Sequence, residues 1–338
     1  MTMKNRYLSF LLVLSLSAAS AAAQATEVVY LEGEPDLRDG AGRISGLDYG
    51  SRVKTGDSVI TGRAEIVDLI QGEGAEIRVR PDTVFTIREL DTGKEKEQVL
   101  TTAVGAVTMR FKKLAGTEPR VGTTSTVAGI RGTELTIYAG PDGSSLFVVN
   151  SGLVSVDAAG VTVDLAENEG VEVSAAGTPG EKFSVIGREL DFSAWAAGKT
   201  EVFLKDPVAS LGEIRTKMAD FRAGLDEWVA KYEAAKVDSD AAVAEMKTIE
   251  DKTEQKKYRD EVWAPLALRT GNSVLNYRYY ALSAFSLRRY VLGPMYVQMK
   301  SRNLASASAE YGTFLDEYRS VLADYQKTFN PYLSTVDY

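Results

Sequence analysis

The 338-residue sequence contains no cysteine and no histidine. Without cysteine the fold has no disulfide, so its stability must come from packing and hydrogen bonding. Without histidine the chain lacks both the commonest general base and the commonest ligand of transition metals. Most nucleophilic and metal-dependent reaction classes are therefore excluded, and we expect a protein that is not an enzyme and holds no cofactor or metal.

The charge balance is acidic, with 39 basic and 47 acidic side chains and a net charge of −8. Nucleic acid is a poor partner for such a chain, because affinity for it comes mainly from basic residues that neutralise phosphates. Hydrophobic residues make up 44% of the sequence and charged residues 25%, which allows a sizeable core. The length favours about two domains.

Fragments of catalytic motifs occur, but none has its required context. Ser51-Arg-Val-Lys54 and Lys54-Thr-Gly56 match two motifs of penicillin-binding enzymes but overlap on one lysine, whereas those enzymes need two separate elements. Asp91-Thr-Gly93 occurs once, whereas aspartic proteases need two aspartates that share a proton. Gly198-Lys-Thr200 lacks the glycine of a phosphate-binding loop, since position 193 is serine.

The first 25 residues have the pattern of an export signal. Lys4 and Arg6 form a basic start, an apolar run from Tyr7 to Leu16 follows, and Ala23-Gln-Ala25 offers the small-x-small sequence that signal peptidase cleaves. The apolar run is shorter than the about 20 residues of a membrane-spanning helix. We expect a soluble periplasmic protein, cleaved near Ala25 and, without cysteine, not a lipoprotein.

Residues 26–187 alternate between apolar and polar side chains, which is typical of half-buried strands. Turn sequences such as Asp39-Gly40 and Pro141-Asp-Gly143 separate the alternating runs. Short strands at this spacing predict a sandwich or a β-helix-like stack.

One segment within these strands, from Thr123 to Ile137, contains Gly-Ile-Arg-Gly-Thr-Glu and resembles the FecR domain, a β-rich periplasmic module. Val53–Leu69 and Ile77–Ile87 are similar to earlier hairpins of that family, and Leu165–Val173 is similar to its closing strand. The likeness covers residues 45–175.

The resemblance implies contact with other proteins. The best-known members receive a signal from an outer-membrane transporter, and they carry a cytoplasmic segment that binds a sigma factor and a membrane helix before the domain. In this sequence the export signal stands in that place. We therefore expect an adaptor or sensor that binds envelope proteins.

A helical period replaces the alternation beyond a linker or short helix at residues 188–206. Asp206 and Pro207 have the N-cap and first-turn pattern of a helix start. Apolar residues then recur in heptad steps in two stretches, which predicts a bundle or coiled-coil hairpin over residues 207–330. These residues are Leu211, Ile214, Met218, Phe221, Leu225, Trp228 and Tyr232, then Tyr311, Leu315, Tyr318, Leu322, Tyr325 and Phe329. The expected helices are 207–236, 239–263, 273–292 and 296–328, and the expected fold class is α+β with strands and helices segregated.

Seven residues are candidates for partner binding. Arg131 and Glu134 belong to the motif, whereas the other five lie in the stretch from Val262 to Ala309, which has no acidic residue: Arg278, Tyr280, Arg288, Arg289 and Tyr290. Such a basic, tyrosine-rich surface suits an anionic partner, such as peptidoglycan or an anionic membrane surface. In the alternative interpretation, these arginines pair with carboxylates of the first two helices and Arg131 binds carbonyls of adjacent turns.

Two functions follow from these patterns. The first is an adaptor or sensor in the envelope, and the second is a structural protein that binds peptidoglycan or another glycan. An exposed heptad seam would also allow a homo-oligomer through the helical region.

We predict that the protein from the envelope fraction begins near Thr26. N-terminal sequencing measures this directly, and an intact chain that begins at Met1 in the cytoplasm would contradict the export signal.

Overall fold

The structure is a computed structural model that describes residues 26–72, 74–91, 96–112, 120–158, 160–188, 190–303 and 308–333. The predicted signal sequence lies outside these residues. Strands occupy the first part and helices the second, which confirms the α+β class with segregated elements. No helix in the described part is long and apolar enough to cross a membrane.

Fifteen strands are found within the described residues, and all but one of their pairings are antiparallel. They are β1 (Thr26–Glu32), β2 (Asp36–Arg38), β3 (Ile44–Gly46), β4 (Arg52–Val53), β5 (Ser58–Ile60), β6 (Ile66–Gln71), β7 (Ala75–Val79), β8 (Val84–Asp91), β9 (Lys96–Phe111), β10 (Arg120–Gly122), β11 (Val127–Ala139), β12 (Ser145–Ala158), β13 (Val161–Ala166), β14 (Glu169–Val173) and β15 (Phe183–Ser184).

Three long strands, β9, β11 and β12, fold this network over its main core, and their other face carries a smaller cluster that packs against α1. The first half of β9 pairs with β8 and β10, and its second half pairs with β7 and β11. Likewise, β12 pairs with β14 near its start and with β13 near its end. Side chains from both halves of each strand, such as Leu100 and Met109 of β9, enter the same hydrophobic core. Long strands that change partners along their length therefore connect the parts of the sheet.

Gly105 lies where β9 changes partners. Its φ of +95° is a conformation that residues with a side chain rarely adopt. A Cβ atom at this position would lie 2.3 Å from Thr83 Oγ1 and 2.6 Å from the carbonyl oxygen of Asp82. Glycine is therefore required both for the bend and for the close approach of the two segments.

Six α-helices follow in the described residues, with two π-helical segments between them. The α-helices are α1 (Phe192–Lys205), α2 (Pro207–Met246), α3 (Lys252–Tyr258), α4 (Ala264–Leu287), α5 (Gly293–Arg302) and α6 (Ala309–Leu333). The π-helical segments are Arg259–Trp263 and Arg288–Leu292. Asp206 caps α2 by accepting a hydrogen bond from the Ala209 amide at 3.0 Å, as the sequence predicted.

The expected helix boundaries were wrong in several places. The expected helix 239–263 is divided, because α2 ends at Met246 and α3 begins at Lys252. The expected helix 296–328 is likewise divided between α5 and α6. α2 runs through residues 237 and 238 without a break, because nothing in that stretch interrupts its backbone hydrogen bonds. The segment from 252 to 302 is also continuously helical, although Pro265 and Pro294 lie within it. Each proline comes two residues after a π-helical segment. Proline has no amide hydrogen to donate to the preceding turn, and the extra residue of the π-helical turn lets the helix continue without that hydrogen bond.

The long helices pack within one chain. α2 runs antiparallel to α4, since Thr270 bonds the Ala235 carbonyl and Tyr232 stacks edge-on with Tyr277. α6 crosses back to α2, where Arg215 bonds Glu317 at 2.9 Å.

The first predicted heptad seam is confirmed, because Leu211 through Leu225 are buried and Trp228 and Tyr232 pack against the same core. The second seam is confirmed at Tyr325 and Phe329, which are fully buried, and Tyr311, Leu315 and Tyr318 pack half-buried against the same core. Phe314 and Val321, which the heptad pattern left out, are fully buried in place of Leu322.

We predict that Gly105→Ala lowers the free energy of unfolding by at least about 2 kcal/mol, because alanine brings both backbone strain and a clash. Gly46→Ala is the matched control, since no atom lies within 4 Å of its Cβ position and its φ is not positive. Urea denaturation of both variants measures the difference. Equal stability of the two variants would contradict the bend at Gly105.

Candidate functional site

The strands and helices meet where α4 crosses β8, and one buried arginine lies at the crossing. Arg88 is only 6% exposed. Its Nη1 donates to Ser283 Oγ at 2.8 Å, and its Nη2 donates to Ser286 Oγ at 2.6 Å and to the Leu282 carbonyl at 3.3 Å. A strand residue is thereby bonded to three residues of one helix face.

Small side chains allow this close approach. Ser283 and Ser286 are three residues apart, so they project from the same face of α4. Ala281 and Ala284, which lie beside them, are fully buried. Larger residues at positions 283 and 286 would hold the helix away from the sheet, whereas Ala281 and Ala284 pack on the other side of α4 in the helical core.

Beside Arg88 is a cleft with a volume of about 480 Å³ between the strands and α4. Its charged and aromatic lining comes from both parts of the chain: Arg38, Asp39, Arg88 and Glu89 from the strands and their turns, and Arg278, Tyr279, Phe285, Arg289 and Tyr290 from the helices. Four arginines and two acidic residues give the lining a net positive formal charge.

The arginines of the cleft lie close to aromatic rings. The guanidinium of Arg38 is 5.8 Å from the ring centre of Tyr290, and that of Arg88 is 6.0 Å from the ring centre of Tyr279. Arg289 also lies over Tyr290, at 5.7 Å. Burial lowers the pKa of Arg88, with a further lowering by the charge of Arg38. Burial raises the pKa of Tyr279.

Three of the seven candidate residues, Arg278, Arg289 and Tyr290, line this cleft. Two others pack inside the bundle. The ring of Tyr280 fills the space above Gly224, where a Cβ would be 2.3 Å away. Arg288 lies over the ring of Tyr325 at 5.3 Å.

Tyr325 is buried beneath Arg288. Burial raises the pKa of Tyr325 to about 12, even though the neighbouring Arg288 opposes the shift. Its phenol therefore stays neutral through the physiological range, and the contact with Arg288 is one between a cation and a neutral ring.

The two candidates of the motif lie away from the cleft. Glu134 accepts a hydrogen bond from Arg110 Nε at 3.0 Å on an exposed face of the sheet. The backbone of Arg131 pairs with Leu153 at an irregularity of β11, and its side chain lies outside the described residues.

The turn that precedes these two residues, Thr123–Thr126, is buried although all four side chains are polar. Ser125 and Ser145 share a hydrogen bond between their hydroxyls at 3.1 Å. Gly177 lies between this turn and α2. A Cβ atom on Gly177 would be 3.3 Å from the carbonyl oxygen of Ser125 and 3.1 Å from the ammonium of Lys217 on α2. The first turns of α2 therefore approach the loop that covers this part of the motif.

The basic residues between Val262 and Ala309 contact few carboxylates. Arg269 lies 3.8 Å from Asp238 of α2, as the intramolecular alternative predicted. Lys300 instead lies over the Tyr296 ring, and Arg302 donates to the Leu204 carbonyl. Across the described ranges, acidic side chains form no cluster that would hold a metal ion.

We predict that Ser286→Ala lowers the free energy of unfolding by about 1–3 kcal/mol, because a buried guanidinium loses an acceptor. Ser301→Ala changes an exposed serine near the end of α5 and is the matched control. Urea denaturation compares the two, and hydrogen exchange of the β8 amides should increase only in Ser286→Ala. Unchanged stability and exchange in that variant would contradict the role assigned to the crossing.

No family model matches the chain, and no curated protein matches it. Two crystal structures of a "putative anti-sigma factor" from Parabacteroides distasonis are similar to part of it, at 17% sequence identity. The similarity covers 38% of this chain and 59% of that protein, with TM-scores of 0.33 and 0.32. The chain thus matches less than two thirds of that protein, and values this low do not establish a shared fold.

Proposed function

We propose that the protein is a non-enzymatic adaptor or sensor of the cell envelope, with a FecR-like β domain and a helical arm that binds another protein. The observation that carries this proposal is a two-helix arm with exposed apolar side chains. The FecR-like motif and the export signal of the sequence support the location and the class of function.

The arm consists of residues 233–273. Tyr232 on α2 and Val274 on α4 are the outermost contributors to the helical core, so only two helices pack against each other beyond them. Ala235 and Ala242 are buried between these helices, whereas α3 and the π-helical segment after it have no buried residue. The arm runs for about 25 Å at the rise of an α-helix. It therefore presents a long surface whose packing within the chain is minimal.

An apolar groove with a volume of about 670 Å³ lies at the base of the arm. Trp228, Ala234, Pro265 and Leu268 line it, and Leu268 is 60% exposed. Tryptophan in such a setting is the side chain that most often dominates a protein interface. Exposed apolar side chains that share a groove are typical of an interaction site.

The polar lining of the groove indicates what its partner presents. Asn272 Oδ1 is buried there without a hydrogen-bond donor. Lys231 and Arg269 lie at the same groove, and the Lys231 ammonium is 4.0 Å from the ring centre of Trp228. Lys231 already pairs with Glu227, and Arg269 pairs with Asp238. A segment with an apolar side chain and a hydrogen-bond donor would therefore suit Trp228 and Asn272.

The second candidate is peptidoglycan binding, and the exposed Arg289 at the rim of the cleft favours it. A glycan strand with peptide carboxylates would then contact the cleft and leave the arm free. The two candidates therefore use different surfaces and are separable by experiment.

We predict that a photoactivatable crosslinker at position 268 captures one envelope protein in intact cells, whereas a crosslinker at Ile44 does not. Ile44 is the matched control, because it is 58% exposed on β3 of the strand part. Mass spectrometry identifies the captured protein. Capture at position 268 should fall sharply when Trp228 is replaced by alanine, because the groove loses its largest apolar side chain.

Retention of the purified protein on isolated peptidoglycan tests the second candidate. Retention without any crosslink at position 268 would favour glycan binding over the adaptor. Crosslinks of equal strength at positions 268 and 44, unaffected by Trp228→Ala, would contradict the arm as the binding surface.

A further inference from the structure

The cleft beside Arg88 contains polar atoms that have no hydrogen-bond partner among the residues that the structure describes. Arg38 Nη1, Arg88 Nε and Tyr290 Oη are all buried without a hydrogen bond, and all three residues line the cleft. All three groups are able to donate a hydrogen bond. A buried donor that is left unpaired is unfavourable, and more so when the group is charged. Three such donors in one cleft indicate that an acceptor belongs there.

The charges in the cleft indicate that the acceptor is anionic. The ionisable groups that act on Arg88 are Tyr279, Tyr290 and Arg38, and none of them is a carboxylate. Two carboxylates line the cleft beside its four arginines. Asp39 already bonds Arg43 at 2.7 Å, and Glu89 is not among the groups that act on Arg88, so the lining keeps a positive formal charge. Water would satisfy the hydrogen bonds but would not offset the positive charge of the buried Arg88 guanidinium beside the half-buried Arg38.

The size of the cleft fits a small molecule. About 480 Å³ lies within the range of about 300–1,000 Å³ that is typical of small-molecule pockets. Gly40, Gly42 and Thr55 are exposed and form part of the lining, so one side is open to solvent. Leu275, Leu282 and Phe285 provide an apolar wall. The ligand therefore has an anionic end and a carbon skeleton.

We propose that this cleft binds a small organic anion through a carboxylate or phosphate group, held by Arg38 and Arg88 with the Tyr290 hydroxyl. The planar guanidinium presents its N–H groups in a fork that matches both kinds of oxyanion. Arg278 and Arg289 contribute positive charge at the same cleft. The cleft is separate from the arm, so this site does not require the proposed partner protein.

Calorimetric titration of the purified chain that begins at Thr26 tests the site. The probes are citrate for a free organic acid, inorganic phosphate for a phosphate group, and a soluble peptidoglycan fragment for a carboxylate on a larger molecule. Glycerol is the neutral control. We expect saturable binding of at least one anionic probe with one site per chain and no binding of glycerol.

Substitutions at the cleft locate the binding. Arg38→Gln should weaken it by about tenfold or more, because one charge-assisted hydrogen bond is lost. Arg88→Gln should have at least the same effect, but this residue is buried, so circular dichroism must first show that the variant folds. Arg38 is only half-buried, and its variant keeps the test decisive when Arg88→Gln does not fold. Arg269→Gln is the matched control, since Arg269 lies on the arm, and binding should not change.

Absence of binding to all three anionic probes at millimolar concentration would overturn the proposal. Equal affinity in the unaltered chain, Arg38→Gln and Arg269→Gln would also overturn it, because the anion would then bind elsewhere. A crosslinked partner at position 268 in cells tests the arm alone, so the failure of one proposal is distinguishable from the failure of the other.

Discussion

The burial of one guanidinium fixes α4 against the sheet. Arg88 projects from β8 beneath α4, where it is 6% exposed and receives acceptors only from residues 282, 283 and 286 of the helix. Burying a charge is unfavourable unless hydrogen bonds and counter-charges offset it. The position of α4 is therefore tied to Arg88, because a shift of one turn would remove the hydroxyls of Ser283 and Ser286 from it. The cleft exists because this contact fixes the helix at one side of a curved sheet.

Pro294 also affects which side chains line the cleft. Pro294 cannot donate an amide hydrogen bond, and the helix before it widens into the π-helical segment Arg288–Leu292. Such segments often occur at functional sites because they change the direction of side chains. Arg289 and Tyr290 belong to this segment and line the cleft, whereas Val291 packs 3.6 Å from the Cβ position of Gly143 in the strand part. One proline is thus linked to both the cleft and the packing of helix on strand.

The two proposed binding surfaces lie on one helix. α4 carries Leu268 of the arm groove near its start and Ser286 of the Arg88 contact near its end. These positions are about 27 Å apart at the rise of an α-helix. The arm has few buried residues, and the cleft has four arginines and two acidic residues in its lining. The part of α4 that packs in the helical core lies between the arm groove, which suits a protein partner, and the cleft, which suits a small anion.

The segregated α+β class, the start of α2 at Asp206 and the first heptad seam were all readable from the sequence, because alternation, capping and heptad spacing are local properties of the chain. Arg278, Arg289 and Tyr290 were also selected, since a stretch without acidic residues is visible in the sequence. Arg38 and Arg88 were missed, because each looks like an ordinary polar residue of a half-exposed strand. Only the tertiary structure decided that a helix about 195 residues further along the chain covers Arg88. The physical reason is that the burial of a residue depends on which distant surfaces pack against it. Alternation within a strand shows only which side chains point to the core of their own sheet.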